Sequence, residues 1–313
     1  MKIRRWKMAD KAKILKGVGG LYTAELISSD GTGLDETINC RAKGSFRRNG
    51  IKPLPGDIVE FEKQTDGTGF ITKICDRKNS LIRPASANID LILFVIAAAK
   101  PDPDLFLIDK MLSVATHNGI DVLMIVNKDD VDKNRADELC RIYKLAGYDA
   151  VAFSALSEGF EQQKEYIKNA VKGKVCFFAG ASGVGKSSTI NAVFPELGKT
   201  LETGDLSEKI ERGKHTTRKT ELFKLSGNTY IADTPGFSML EIAQYNMIPK
   251  DMLLSAFPDI EKYSVSCRYS DCTHVCEDGC KVIEAINDNL VSKSRHDSYR
   301  TLFEELKNKN EWD

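Results

Sequence analysis

Asn127-Lys128-Asp129-Asp130 closes one apolar stretch of the chain, and Gly180-Ala181-Ser182-Gly183-Val184-Gly185-Lys186-Ser187 closes another about fifty residues later. No other feature constrains the fold as tightly. A Gly-x4-Gly-Lys-Ser turn works only where a strand leads in and a helix leads out. Its glycines let backbone N–H groups curl around phosphate, and the helix N-terminus adds partial positive charge. This loop and Asn-Lys-x-Asp, each closing an apolar run, predict an α/β domain whose ligand site lies at the carboxyl ends of parallel strands.

The surrounding pattern agrees. Ile89–Ala97 is an apolar strand; Asp102 and Pro103 then read as an N-cap and first helical position, with Gly119 ending that helix. Ile120–Val126 is the next strand and runs directly into Asn127. A helix over 132–146 stops at Gly147, the strand Asp149–Phe153 ends on Ser154-Ala155, and a helix over 160–172 leads into the strand Val175–Ala179. Tyr230–Ala232 ends on Asp233-Thr234-Pro235-Gly236. Before this region, Gly20–Ile27, Asp57–Glu62 and Gly69–Ile74 read as short strands between glycine-bearing turns, which a small closed β-barrel packs best. Beyond about Ile242 the chain reads as helical and cysteine-bearing.

Charge and cysteine usage narrow the class further. The net charge is zero, so no global field draws the chain to nucleic acid, but residues 1–16 hold seven Lys/Arg against one Asp. Arg41, Lys43, Arg47, Arg48 and Lys52 form a second basic run without an acid. Such runs are solvated faces or polyanion contacts. The longest apolar run, Leu91–Ala99, is too short to span a bilayer, and the basic N-terminus precedes no apolar signal segment. A cytosolic chain is expected, with no membrane contact. Cys40, Cys75, Cys140 and Cys176 are scattered and read as reduced core thiols, whereas Cys267, Cys272, Cys276 and Cys280 cluster with His274.

The two loops together predict a guanine-nucleotide site. Lys186 is placed to reach the β- and γ-phosphates, Ser187 to ligate Mg²⁺, and Ser188 continues the cradle. Asp130 can accept from guanine N1–H and N2–H₂, a pairing adenine cannot offer. The wrong base leaves a carboxylate unpaired, a discrimination of about 10²–10⁵. Lys128 can lay its stem over the base, Asn127 can tie its loop to the phosphate loop, and Ser154-Ala155 offers backbone groups to guanine O6. Asp233 would hold Mg²⁺ from its second shell and the Gly236 N–H would sense the γ-phosphate. Between them, Thr216 or Thr217 closes on Mg²⁺; Thr217 is taken as the ligand. Many GTPases continue past Asp-Thr-Pro-Gly to a water-orienting glutamine, but this chain has Phe237. Slow intrinsic hydrolysis and a stimulating partner are therefore expected. His215 is the nearest residue that can orient water, an exposed histidine without a role being the other reading.

Cys267-x4-Cys272-x-His274-x5-Cys280 supplies three thiolates and one imidazole, a closed tetrahedral set suited to structural Zn²⁺. Cys276 leaves two alternatives open: it replaces His274 in a four-cysteine site, or it is a free thiol.

Ordinary GTPases place the phosphate loop before Asn-Lys-x-Asp; here the order is reversed. That order, with Ser154-Ala155, Gly183–Ser188, His215-Thr216-Thr217 and Asp233–Gly236, resembles the circularly permuted ribosome small-subunit-dependent GTPase A family (RsgA/YjeQ). Arg77–Leu81, Arg83-Pro84, Ala87–Asp90 and the Cys/His module extend the likeness over nearly the whole chain. The resemblance implies an N-terminal OB-fold over 1–82, a circularly permuted P-loop GTPase domain over 83–241, and a helical zinc-binding domain over 242–313; the extra basic residues 1–16 are expected to form a disordered arm. It implies GTP hydrolysis in late maturation of the small ribosomal subunit, stimulated by that subunit. Contact with 16S rRNA through the barrel's basic residues and a monomeric state belong to the same expectation. The family's zinc ligands fall on Cys267, Cys272, His274 and Cys280; this chain departs in having Cys276, and Asp278 where proline is common.

Two other readings compete. One is a GTP-binding RNA module that switches but barely hydrolyses, which Phe237 keeps open; the other is a P-loop kinase or ATPase, against which Asp130 speaks. Permutation itself is physically permissible, because strand adjacency rather than chain order holds a parallel sheet. Its consequence is that the segment starting at Phe237 runs straight into the metal module, so γ-phosphate contact at Gly236 is expected to pull on residues 237–265.

Overall fold

The computed structural model describes residues 10–44, 46, 51–82, 84–197, 220–233 and 248–307. His215, Thr216, Thr217, Gly236, Phe237, Arg47 and Arg48 lie outside this set, as does residue 83. The chain divides into two compact units. One holds residues 1–90, 171–177 and 213–236; the other holds 91–170, 178–212 and 237–313.

In the first unit, β1 (Asp10–Val18), β2 (Leu21–Ile27), β3 (Gly33–Ala42), β4 (Ile58–Lys63) and β5 (Gly69–Ile74) form a closed barrel. Pairing runs β1–β2, β2–β3, β3–β5, β5–β4 and back from β4 to β1, with only β3–β5 parallel. The two-residue period of a strand explains the interior: Ala12 and Ile14, Tyr22 and Ala24, Ile38 and Cys40, and Val59 and Phe61 all point inward with Ile71. Each large side chain buried there is worth about 1.5–3 kcal/mol. Gly69 is set by packing, since a Cβ would lie 2.5 Å from the Cys40 sulfur.

The basic N-terminal arm needs correction. Residues 10–16 are not disordered; they belong to β1, which pairs with both β2 and β4. Its alternation is Ala12-x-Ile14 flanked by lysines, so charge on the outward face masked the strand in the sequence.

The stretch after β5 is a polar joint. Asp57, fully buried, accepts from Arg77 Nε at 2.7 Å and Nη2 at 2.8 Å. The Asn79 amide brackets Ile89, donating to its carbonyl at 2.8 Å and accepting from its N–H at 2.9 Å. Two short strands, β6 (Ser80–Leu81) and β7 (Ser86–Ala87), pair beside it. Gly56, at φ +93°, is required because a Cβ would sit 2.0 Å from the Ala87 carbonyl oxygen.

The remaining strands follow the α/β pattern. β8 (Leu91–Ala97), β9 (Asp121–Asn127) and β10 (Asp149–Ala152) lie parallel in the order β10-β9-β8, with β8 buried along its whole length. In the first unit β11 (Val175–Ala179, through Phe177) is parallel to β13 (Tyr230–Asp233), which pairs antiparallel with β12 (Glu221–Lys224). Helices α1 (Leu105–His117), α2 (Lys133–Leu145), α3 (Glu161–Val171) and α4 (Lys186–Val193) connect these strands. The first helix starts later than its proline suggested. Asp104, not Asp102, is the N-cap, its carboxylate accepting from the Leu107 N–H at 3.0 Å. Pro103 restrains the residue before it to extended backbone, which delays the helix.

The C-terminal part is helical as expected: α5 (Pro258–Ser264), α6 (Lys281–Asn287) and α7 (Lys293–Lys307). Arg295 on α7 is fully buried, donating to Asp109 of α1 at 2.9 Å and to both oxygens of Asp259 on α5, at 3.0 and 3.2 Å. Its guanidinium also lies 4.5 Å from the Phe257 ring centroid. A buried cation with two carboxylate partners fixes three helices at one point.

Candidate nucleotide and metal sites

The phosphate loop leaves β11 at Ala179 and enters α4 at Lys186. Its glycines are sterically required. At Gly180 (φ +144°) a Cβ would meet the Val95 carbonyl oxygen at 2.2 Å, and at Gly185 (φ +95°) it would meet Asn127 Nδ2 at 2.2 Å. Lys186 curls back over the loop and donates to the carbonyls of Gly180 at 2.7 Å and Ala181 at 2.8 Å. Burial lowers its pKa, an effect that an anionic phosphate chain opposite would counter. Ala181, Ser182, Gly183 and Ser187 are exposed at the loop surface or partly so, Ser188 lies at the start of α4, and Val184 is buried beneath the loop.

The residues expected to read the base converge on this loop. Asn127, 3% exposed, donates to the Val184 carbonyl at 2.9 Å and accepts from the Ala155 N–H at 3.1 Å, so one amide joins three loops. Lys128, at φ +67°, donates to the carbonyl of Gly183 at 3.0 Å and to that of Lys100. Asp130 is exposed; hydrogen bonds from the Ser154 hydroxyl first, and from Ser157, hold its carboxyl below the usual range. It therefore stays an acceptor. Asp233 ends β13 in the other unit. Thr216, Thr217 and Gly236, the expected switch residues, and His215, the expected water-orienting residue, fall outside the described residues.

A second cluster forms between α5 and α6. The Nδ1 of His274 lies 3.5 Å from the Cys267 sulfur and 3.7 Å from that of Cys280, with the two sulfurs 3.9 Å apart. Cys272 completes a group whose four donor atoms all lie within 4.8 Å of one another. A tetrahedral metal with bonds of about 2.3 Å to sulfur spaces its sulfurs by about 3.8 Å, so the donor set fits a metal ion. Burial, reinforced by the neighbouring thiols, pushes the Cys272 thiol up to about 12, and a divalent cation would supply the charge its ionisation needs. Cys276 is exposed and lies outside this group of four donors.

The loop is supported from below. Burial alone would raise the Glu277 carboxyl, yet hydrogen bonds from Thr273 and from the N–H groups of Val275 and Cys276 hold it down to about 2. From α7, His296 Nε2 donates to the His274 carbonyl at 2.6 Å and the Tyr299 hydroxyl donates to that of Thr273 at 3.2 Å. These supports, and Arg295, were not visible as functional positions in the sequence.

The family model described as RsgA GTPase matches residues 74–243, and the RsgA N-terminal domain model matches residues 11–71. The chain belongs to the RsgA GTPase family. Relatives within it include the small ribosomal subunit biogenesis GTPase RsgA of Caldanaerobacter subterraneus subsp. tengcongensis, 40% identical over 96% of both chains. The protein of the same name from Ruminiclostridium cellulolyticum is 41% identical over 94% of this chain and 93% of its own. Among solved structures, YjeQ from Thermotoga maritima aligns with a TM-score of 0.75 at 30% identity, covering 97% of this chain and 100% of that one. YloQ, described as a circularly permuted GTPase, gives the same score and identity over 99% of each. This member of the RsgA family has the barrel, permuted GTPase domain and C-terminal Cys/His-bearing helices of that architecture. Its RsgA N-terminal match begins at residue 11, inside β1.

Proposed function

We propose that this chain binds GTP and hydrolyses it during maturation of the small ribosomal subunit, with that subunit as the stimulating partner. The observation that carries the reading is Asn127. By bonding Val184 and Ala155 together it makes one continuous recognition surface from base loop to phosphate loop. The names of the relatives supply the assembly context.

In this reading Asp130 reads the guanine edge, Lys128 covers the base, and backbone groups of Ser154-Ala155 receive O6. Gly180 to Ser188 cradle the phosphates, with Lys186 swinging from the loop carbonyls to the β- and γ-phosphates. Ser187 and Thr217 hold Mg²⁺, and Asp233 supports it. Bound Mg²⁺ neutralises charge on the transferring phosphoryl group. Gly236 senses the γ-phosphate, and His215 orients water in a chain that has Phe237 where glutamine often follows. Cys267, Cys272, His274 and Cys280 hold one structural Zn²⁺. The domains follow the limits 1–82, 83–241 and 242–313.

The barrel contacts 16S rRNA through its basic residues, among them Arg41, exposed at the end of β3, and the exposed Lys43 beyond it. Cytoplasmic location and a monomeric state complete the reading; no described helix is long and apolar enough to cross a membrane. The deciding experiment is GTP hydrolysis by the purified protein titrated with small ribosomal subunits. Stimulation is expected, and a flat titration refutes the assignment.

A further inference from the structure

The hairpin formed by β12 and β13 is the element that carries Asp233. Its register sets Glu221 opposite Asp233 and Lys224 opposite Tyr230. β13 also runs parallel to β11, from Val175 opposite Tyr230 to Phe177 opposite Ala232. β11 leads within a few residues to Gly180, where the phosphate loop opens.

The barrel grips this hairpin through a polar cluster. Glu25 on β2, only 2% exposed, accepts from the Tyr230 hydroxyl at 2.6 Å and from Lys224 Nζ at 2.5 Å. Lys224 also reaches Asp35 at 2.6 Å, and the Asp35 N–H donates to Glu25 at 3.1 Å. At the hairpin turn, Asn228 accepts from the Gly33 N–H at 2.8 Å. The fit is close enough to need glycine at that position. A Cβ on Gly33 would lie 2.6 Å from the Glu25 carboxylate and 2.7 Å from the Tyr230 hydroxyl. Lys13 caps the Tyr230 ring at 4.0 Å, and Lys16 pairs with Glu221 at 2.7 Å, opposite it in the β1–β12 register.

A buried carboxylate is stable only where its partners are fixed. Glu25 draws both of its side-chain donors from the hairpin, so a change in barrel geometry and a change in hairpin position are energetically tied. Apolar packing between barrel and hairpin would slide; this cluster holds one register. Burial, and then the Glu25 carboxylate, push the Tyr230 hydroxyl above its ordinary range and keep it a donor.

We propose that Glu25 and Tyr230 are positioning residues that transmit RNA occupancy of the barrel to the strand carrying Asp233. The proposal rests on the small-subunit-stimulated GTPase reading above. Linkage makes such a coupling reciprocal: nucleotide must in turn alter the barrel.

That reciprocity gives a test independent of the ribosome. Tyr230→Phe keeps the ring beneath Lys13 and removes one hydroxyl. Hydrogen exchange is measured on the full chain, free and with GDP or a non-hydrolysable GTP analogue, alongside GTP hydrolysis with and without small subunits. In the parent, nucleotide should change exchange across residues 21–42. In Tyr230→Phe that response should vanish while GDP affinity and basal hydrolysis stay within about twofold and the stimulated rate falls about tenfold. A parent barrel indifferent to nucleotide overturns the inference even where subunits stimulate hydrolysis. A Tyr230→Phe protein with the parental response also overturns it. Should Tyr230→Phe fail to fold, Glu25→Gln, which keeps the side chain's size, is held to the same outcomes. Failure of the parent to respond to subunits is read separately and refutes the assignment of function, leaving the exchange result to decide the coupling.

Discussion

The side-chain amide of Asn127 donates to the main-chain carbonyl of Val184 at 2.9 Å, across 57 residues of sequence. The same amide accepts from Ala155, so its removal orphans a carbonyl and an N–H together. Asn127→Ala should cost about 1–3 kcal/mol and weaken GDP binding by about 10–100-fold, measured by fluorescent-nucleotide titration. Gly185→Ala should be worse, because its Cβ would collide with that amide at 2.2 Å.

Base selection gives a cleaner chemical test. Xanthine carries a carbonyl where guanine carries the 2-amino group, so it presents an acceptor to residue 130. Asp130→Asn should lose GTP by about 10²-fold or more and gain XTP, read in competition binding. Equal retention of GTP would remove Asp130 from base recognition.

Metal content separates the two cysteine readings. The purified chain should hold one equivalent of zinc by elemental analysis. Cys280→Ser should lose it and Cys276→Ser should keep it, because Cys276 is exposed outside the donor group. Chelation should lower the melting temperature of the parent.

Arg295 should be intolerant of partial replacement. Arg295→Met leaves Asp109 and Asp259 buried without their cation, at a cost of about 3–5 kcal/mol in urea unfolding. Burial already raises the Asp109 carboxyl, with Arg295 pulling it back, so the variant raises it further. A carboxyl with a raised native pKa binds more protons folded than unfolded, and stability falls as pH rises from the unfolded value of about 4. The deficit of Arg295→Met should therefore shrink on acidification towards pH 4.

Deleting residues 1–18 should open the barrel, because β1 pairs with β2, β4 and β12. Circular dichroism and loss of protection in β2 and β4 would register it. A shortened chain that kept a protected barrel would restore the reading of residues 1–16 as a disordered arm.

Local chemistry was legible in the sequence where the physics is local. Gly180, Gly183 and Gly185 state their own backbone demands, and apolar runs such as Leu91–Ala97 announce buried strands. The Cys/His spacing marked the cluster, although only geometry placed Cys276 outside the grouped donors. β1 was missed because outward lysines outweighed Ala12 and Ile14 in a short pattern. Glu25 and Arg295 were invisible for a different reason. A charged residue reads as solvent-facing until its partners are known, and theirs include Tyr230 and Asp109, 205 and 186 residues away.

That last separation has a temporal meaning. The chain is made from its N-terminus, and at about 5–20 residues per second Asp109 is complete about 10–40 s before Arg295. During that interval α1 carries a carboxylate destined for a dry interior with no cation to meet it. Growing chains therefore present α1 well before its buried carboxylate can be paired. The helix α7 emerges after both of its carboxylate partners, so synthesis itself delays these ion pairs until Arg295 has been made.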